Sequence, residues 1–221
     1  MRLLSVFLTM IFMTVAAEAY VVPIQRDLKP ASQAMLEKQN FGTPIAATTN
    51  RVLTTNAGPT SAAVLSITSF TAQPDVPRNL TITPTGTTGD VEACVITVTG
   101  TNYFGRSISE TFTFLADAST ATVGNKAFKT VTNIAFPADC ESGGFAATWI
   151  VGVGEKIGLK RCMSVAGDWT WSTAAGAYET TRATIAASAS AIESNTADFN
   201  GTMNGSNGFF GYFVQNYACL P

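Results

Sequence analysis

"ACVITVTG" at residues 93–100 and "ISETFTFL" at residues 108–115 decide the fold class. In the first, Cys94, Ile96 and Val98 fall on one face while Thr97 and Thr99 fall on the other. In the second, Ile108, Phe112 and Phe114 align. A period of two marks a half-buried strand, because successive side chains leave opposite faces of a pleated chain. Asn102 through Gly105 lies between the two runs and supplies turn residues.

The same period recurs on both sides. "LTITP" places Leu80 and Ile82 together, "AFKTVTNIAF" aligns Phe128, Ile134 and Phe136, and "FAATWIVGV" aligns Phe145, Trp149, Val151 and Val153. Turn signals separate them at Thr85–Asp90 and Glu141–Gly144. No long helical pattern intervenes. The expectation is an all-β chain, an antiparallel β-sandwich or jelly roll over residues 61–221, with an irregular N-terminal arm.

The lead-in to the domain is "FTAQPDVPRNLTITPTG", residues 70–86. Pro74 and Pro77 have no backbone N–H to donate, so Gln73–Arg78 cannot pair as an interior strand. Val76 and Leu80 anchor this segment, which leaves Asp75 and Arg78 at a sheet rim, facing water or a neighbouring subunit. Residues 20–60 read as the arm: "ASQAMLEKQNFG" suits a short helix starting near Ser32 and stopping at Gly42. Thr43–Ser61 has no period and is expected to run over a surface. Residues 1–19 carry Arg2, an apolar stretch from Leu3 to Ala17, and Ala17-Glu18-Ala19. That layout is a secretory signal peptide cleaved before Tyr20, or else an N-terminal extension with a later start at Met35. The stretch is short for a membrane span, so the mature chain is expected to have no stable membrane insertion.

In the last third, Trp169 and Trp171 of "DWTWST" share a face by spacing. "RATIAASASAIESNTADF" reads as a strand passing into one helical turn, with Ser190 and Glu193 at capping-box spacing. The closing "FFGYFVQNY" has large residues on both faces and is expected to be buried on both, in the sandwich or at a subunit contact.

Composition narrows the function. Charged residues are 13% of the 221, below the roughly 25% of ordinary soluble proteins, and the net charge is -2. Nucleic-acid binding needs clustered Lys and Arg to displace counterions, and no such cluster exists, so no nucleic-acid partner is expected. There is no histidine, which removes His-based triads and His-metal sites. The 15 acidic residues show no clustered pair for acid–base work, so a carboxylate hydrolase is disfavoured and no catalytic residue is assigned. Cys94, Cys140, Cys162 and Cys219 match no zinc ribbon or CxxC motif and allow three pairings. Cys94, inside an apolar alternation, is expected to be buried and unpaired.

Several motifs have weak specificity. "VGVGEKIG" (residues 151–158) approaches a dinucleotide loop but lacks the helix that must follow, so it reads as a glycine-rich strand end and no cofactor is assigned. Asp90, Asp117, Asp139 and Glu141 fall in loops without calcium-site spacing, and read as solvated carboxylates. Trp149 reads as core. Trp169 and Trp171 are candidates for partner contact or sugar stacking. Three sequons start at Asn79, Asn200 and Asn204; the last two read as Asn-Gly turns.

Thr68–Leu159 resembles a family of tailed-bacteriophage virion proteins found among head decoration and related structural genes. The segments that carry the resemblance are "TSFTAQPDVPRNLTITPTG", "GDVEACVITVTGTNYFGRSISETFTF", "GNKAFKTVTNIAFPA" and "IVGVGEKIGL". "LKRCMSVAGDW", "YETTRATIAASASAIESNT" and "NGTMNGS" extend it, to about two-thirds of the chain. The resemblance implies a β-rich, non-catalytic module that docks on the major capsid protein or another virion protein, usually as a homo-oligomer. It brings no catalytic residues. The leader-like start departs from it, since such particles assemble in the bacterial cytoplasm. The competing expectation is an exported Ig-like module with disulfides, secreted or periplasmic, binding surface glycans.

Overall fold

Among the described residues fourteen strands form where the sequence alternates, and at several places where it does not. The computed structural model describes residues 36–57, 64–86, 89–138, 140–141 and 147–214. The leader at 1–19, the helix start at Ser32, and Asp139, Phe145 and Cys219 lie outside the described residues. In chain order the strands are β1 (Leu36–Gly42), β2 (Thr48–Ala57), β3 (Leu65–Ile67), β4 (Arg78–Thr85), β5 (Cys94–Thr101), β6 (Ser107–Phe114) and β7 (Thr122–Val123). They continue with β8 (Thr130–Phe136), β9 (Thr148–Gly158), β10 (Trp169–Ala174), β11 (Ala177–Tyr178), β12 (Thr184–Ala186), β13 (Thr196–Asp198) and β14 (Phe209–Val214). The chain is all-β, and every pairing among the named strands is antiparallel. Among the described residues no helix is long and apolar enough to cross a membrane.

Among the described residues three sheets and two buried apolar clusters are present. One sheet has the order β3-β8-β5-β6, the second β12-β13-β9-β4-β7 with β2 also on β9, and the third β1-β14-β10-β11. β5 and β6 pair without a shift from Cys94↔Phe114 to Thr101↔Ser107. Ile96, Val98, Phe112, Phe128, Ile134 and Phe136 pack in the first core against Leu80, Ile82, Trp149, Val151 and Val153. The second core holds Phe41, Ile157, Trp169, Phe199, Phe209 and Phe213, among others. β9 runs through both. It pairs with β4 along one edge, while β2 takes the upstream part of its other edge and β13 the downstream part. The "VGVGEKIG" stretch is therefore strand throughout, with no helix after it.

Two expectations for the arm are corrected. Leu36–Gly42 is a strand and not the end of a helix, because β14 offers it a ladder and the core takes Phe41. A tertiary partner overrides a weak helical preference. Within Thr43–Ser61, residues 48–57 form β2, with Val52 and Leu53 both buried. Its register on β9 shifts between Thr48 and Leu53, and again before Asn56. A strand that slips twice cannot show a clean period of two, so its sequence looked irregular.

The cysteines give a third correction. Cys94 is buried as expected, but it is paired: Cys94 and Cys140 form a disulfide with Cα atoms 5.1 Å apart. The bond ties the start of β5 to the segment after β8, beside an isolated bridge between Val91 and Glu141. Cys162 is disulfide-bonded as well.

The loop carboxylates are not uniformly solvated. Asp90 and Glu141 are buried, and Asp117 accepts the Gly89 N–H. Among the described residues no group of three or more Cys, Asp or Glu side chains converges as a metal site would require.

Candidate interaction surface

The four residues singled out by sequence divide into a buried clamp and a surface. Arg78 opens β4, at the point where the proline-bearing lead-in joins the sheet, and its side chain is fully buried. Nε donates to the Gly154 carbonyl at 2.7 Å, and Nη2 donates to the same oxygen. Nη1 donates to the Ile45 carbonyl at 3.0 Å and to Asp75 Oδ1 at 3.2 Å, while Nη2 also lies 3.7 Å from Met203 Sδ. Asp75 Oδ2 in turn accepts the Ile45 N–H at 2.8 Å. Burial pulls the guanidinium pKa below its ordinary value, with Asp75 opposing that pull. A planar fork with five donors suits this job, since one side chain holds β4, β9 and the β1–β2 connection together. Arg78 is thus a clamp inside its own chain. The expectation that it faces water or a neighbouring subunit is corrected, because the loop around Ile45 folds over it.

The lead-in before Arg78 stays off the ladder, as its two prolines require. Gln73 compensates with its side chain: Oε1 accepts the Val131 N–H at 2.7 Å, and Nε2 donates to the Val131 carbonyl at 3.1 Å. A side-chain amide here replaces a backbone neighbour.

Trp169 and Trp171 do not share a face. Trp169 pairs with Phe213 and Trp171 with Tyr212, so two steps on β10 oppose one on β14. This is a β-bulge, and Thr170 is the extra residue; its hydroxyl donates to the Tyr212 carbonyl at 2.6 Å. The bulge cancels the period-two expectation. Trp169 is buried and stacked on Phe213, with ring centroids 5.9 Å apart and planes 12° apart. Its indole lies over Gly211, where any Cβ would collide with the ring. Trp171 points outward, 37% exposed, and stacks on Tyr212 at 5.0 Å.

The outer face of this sheet is paved with large side chains. Register places Lys38, Tyr212 and Trp171 in one cross-strand row, and Asn40, Phe210 and Thr173 in the next. Leu36 faces Val214 at one end, and Tyr178 sits beside Thr173 at the other. Lys38 Nζ lies 4.2 Å from the Phe210 ring centroid and 5.5 Å from that of Tyr212, so it covers aromatic faces as a cation–π partner. Tyr178 is 71% exposed and Leu36 46%. The closing aromatic strand, expected to be buried on both faces in the sandwich or at a subunit contact, is buried within its own chain on one face: Phe209, Gly211 and Phe213 are inside, while Phe210, Tyr212 and Val214 are half-exposed. Sequence reasoning missed Lys38, Phe210 and Tyr212. The alternation within "FFGYFV" carried the signal for the last two.

An aromatic sheet face with Lys38 over its rings can accept apolar or π-rich surface. Asn79, the first sequon residue, is fully buried. Comparison with known protein families, with curated proteins and with solved structures finds no match.

Proposed function

We propose that this chain is a non-catalytic virion structural protein of decoration or cement type. It attaches to the major capsid protein or to another virion subunit through the outer face of the β1-β14-β10-β11 sheet. The observation that carries the reading is the paved face around Trp171 and Tyr212, a surface rich in the residue types that dominate protein interfaces. The phage-like segments from Thr68 onward support it from the sequence side.

Area argues for several copies acting together. Four strands at about 4.8 Å spacing and some six residues at about 3.4 Å rise give a face of roughly 400 Å² at most. A stable interface buries about 800 Å² per partner, so one face supplies about half of it. Oligomeric presentation makes up such a deficit through effective concentration. Mass spectrometry of purified particles tests the reading, with this chain expected in intact virions. Its absence sinks the idea. The Trp171→Ala/Tyr212→Ala variant is expected to fold and to be lost from particles.

A second reading is favoured by one observation, the disulfide-bonded state of Cys94, Cys140 and Cys162. Disulfides persist in oxidising surroundings, which suits an exported module that stacks surface glycans on Trp171. Sequencing the mature N-terminus separates the two. A start at Tyr20 supports export, and a start at Met1 or Met35 supports the virion role.

A further inference from the structure

Unpaired sheet edges invite another strand, and folded chains blunt them by shortness or by cover. Here β3, β7, β11 and β12 have two or three residues each. β2 is covered by the lead-in: the Thr71 N–H donates to the Val52 carbonyl at 3.0 Å, and Arg51 Nε to the Gln73 carbonyl at 2.9 Å. β6 is eight residues long, but Lys126 Nζ donates to its Ser109 carbonyl at 2.8 Å. Its Glu110 carboxyl also accepts the Asn125 and Lys126 N–H groups, at 2.6 and 3.2 Å.

β1 has neither defence. Its seven residues end the β1-β14-β10-β11 sheet and pair regularly with β14 from Leu36 to Asn40, before a bulge at Phe41. Among the described residues, no strand but β14 bonds to it. The strand is also held from beneath. Glu37 accepts from Lys160 Nζ at 2.8 Å and from Arg161 Nε at 3.3 Å. Gln39, buried, donates from Nε2 to the Gly158 carbonyl at 3.3 Å and accepts the Lys160 N–H on Oε1 at 3.0 Å. Phe41 packs in the second core. An edge fixed in this way is ordered before a partner arrives, so pairing costs it little entropy.

We propose that β1 pairs antiparallel with β1 of a second copy about a two-fold axis at Gln39, joining two four-stranded sheets into one of eight. Self-pairing of this kind closes both open edges at once, and the joined sheet then ends on the two-residue β11 at each side. With the axis normal to the sheet, both paved faces stay on one side and opposed residues keep the same parity. Charge and strand length then choose the register. Centred on Lys38, the axis would set two lysines opposite each other, and like charges there repel. Centred on Asn40, it would leave Leu36 and Glu37 beyond the end of the facing strand. Centred on Gln39, it sets Lys38 opposite Asn40 of the second copy. Area fits as well: two faces of roughly 400 Å² present about the 800 Å² that a stable attachment buries per partner. That area argument rests on the docking reading above, whereas the edge pairing does not.

Sedimentation velocity of the full chain at rising concentration tests the pairing, and a reversible dimer is expected. Asn40→Asp keeps the acceptor that holds the Gly42 N–H and sets a carboxylate opposite Lys38 twice per dimer. Its dissociation constant is expected to fall about fivefold at low salt. Asn40→Lys sets like charges at the same place, and its constant is expected to rise about fivefold. Circular dichroism and melting check that both variants fold. A chain that stays monomeric into the high micromolar range, or a dimer that neither substitution shifts, overturns the β1 pairing. Trp171→Ala/Tyr212→Ala alters the face and not the edge, so it is expected to keep the dimer while being lost from particles. Loss of the dimer in that folded variant places the contact on the face and overturns the edge. Particles that lack this chain would sink the docking reading and leave the dimer measurement unchanged, so the two fail separately.

Discussion

Replacing Arg78 with alanine is expected to cost about 5–9 kcal/mol, a large part of the roughly 5–15 kcal/mol that holds a typical domain together. The sum comes from what the guanidinium leaves behind. The carbonyls of Gly154 and Ile45 lose buried donors, at about 1–3 kcal/mol each. Asp75 loses its ion pair, although its side chain is 15% exposed and it keeps the Ile45 N–H, so the residual charge is partly hydrated. That places the pair near the low end of the roughly 3–5 kcal/mol for breaking a buried salt bridge. Arg78→Lys is expected to fall between, at about 2 kcal/mol, since an ammonium cannot reach all three acceptors as a fork does.

Urea unfolding followed by tryptophan fluorescence measures this, with Trp149 in the first core and Trp169 in the second. A double-mutant cycle of Arg78→Met with Asp75→Asn isolates the pair, and a coupling of about 2 kcal/mol is expected for contacting charges. Hydrogen exchange should locate the damage at the Ile45 amide. A cost below about 1.5 kcal/mol for Arg78→Ala, or a coupling near zero, would refute the clamp as a stabilising device.

The two tryptophans should respond oppositely to truncation. Trp169→Ala is expected to cost about 3–5 kcal/mol in urea unfolding, while Trp171→Ala stays below about 1 kcal/mol and is lost from particles. Breaking the disulfide with Cys94→Ala/Cys140→Ala opens a loop of sequence separation 46 and should cost about 4 kcal/mol by chain entropy, read as a lower urea midpoint. Glu110 should give a pH signature. Because its folded pKa is raised, the stability it contributes is full below an unfolded value of about 4.3 and is lost as pH rises through the folded value. Urea midpoints across that window should decline less for Glu110→Gln than for the wild type.

Regular alternation made the first core readable. Ile96, Val98, Phe112, Ile134, Phe136 and Trp149 all point where a period of two sends them. The rest was hidden by contacts distant in sequence. β1 and β2 are strands because β14 and β9 receive them, and β2 also slips register, so neither shows a strand period of its own. Arg78 looked like a rim charge because Pro74 and Pro77 keep its lead-in out of an interior ladder; nothing local reveals that Ile45 and Gly154, from two other segments, close over it. Of the four named site residues, only Trp171 is clearly exposed, and its true neighbours, Tyr212 and Lys38, lie on strands far away in the chain.

The bulge at Thr170 decides where Trp171 points, and deleting that residue tests the assignment. In an unbroken strand Trp169 and Trp171 would lie on the same side, and removing the residue between them would drive one to the opposite face. With Thr170 as the extra residue, deletion simply restores regular pairing: Trp169 stays opposite Phe213 inside, and Trp171 stays opposite Tyr212 outside. What is lost is local twist and the Thr170 hydroxyl bond to the Tyr212 carbonyl, a cost of about 1 kcal/mol. The deletion variant is therefore expected to fold, to keep one quenchable and one protected indole in a Trp149→Phe background, and to keep its place on particles. A variant that unfolds, or whose two indoles become equally protected from acrylamide, would show that both rings belong to one face and that the paved surface is misassigned. Bulges sit where a strand must re-aim a side chain. This one moves a tryptophan from a core that Trp169 already fills to a surface where it can meet a partner.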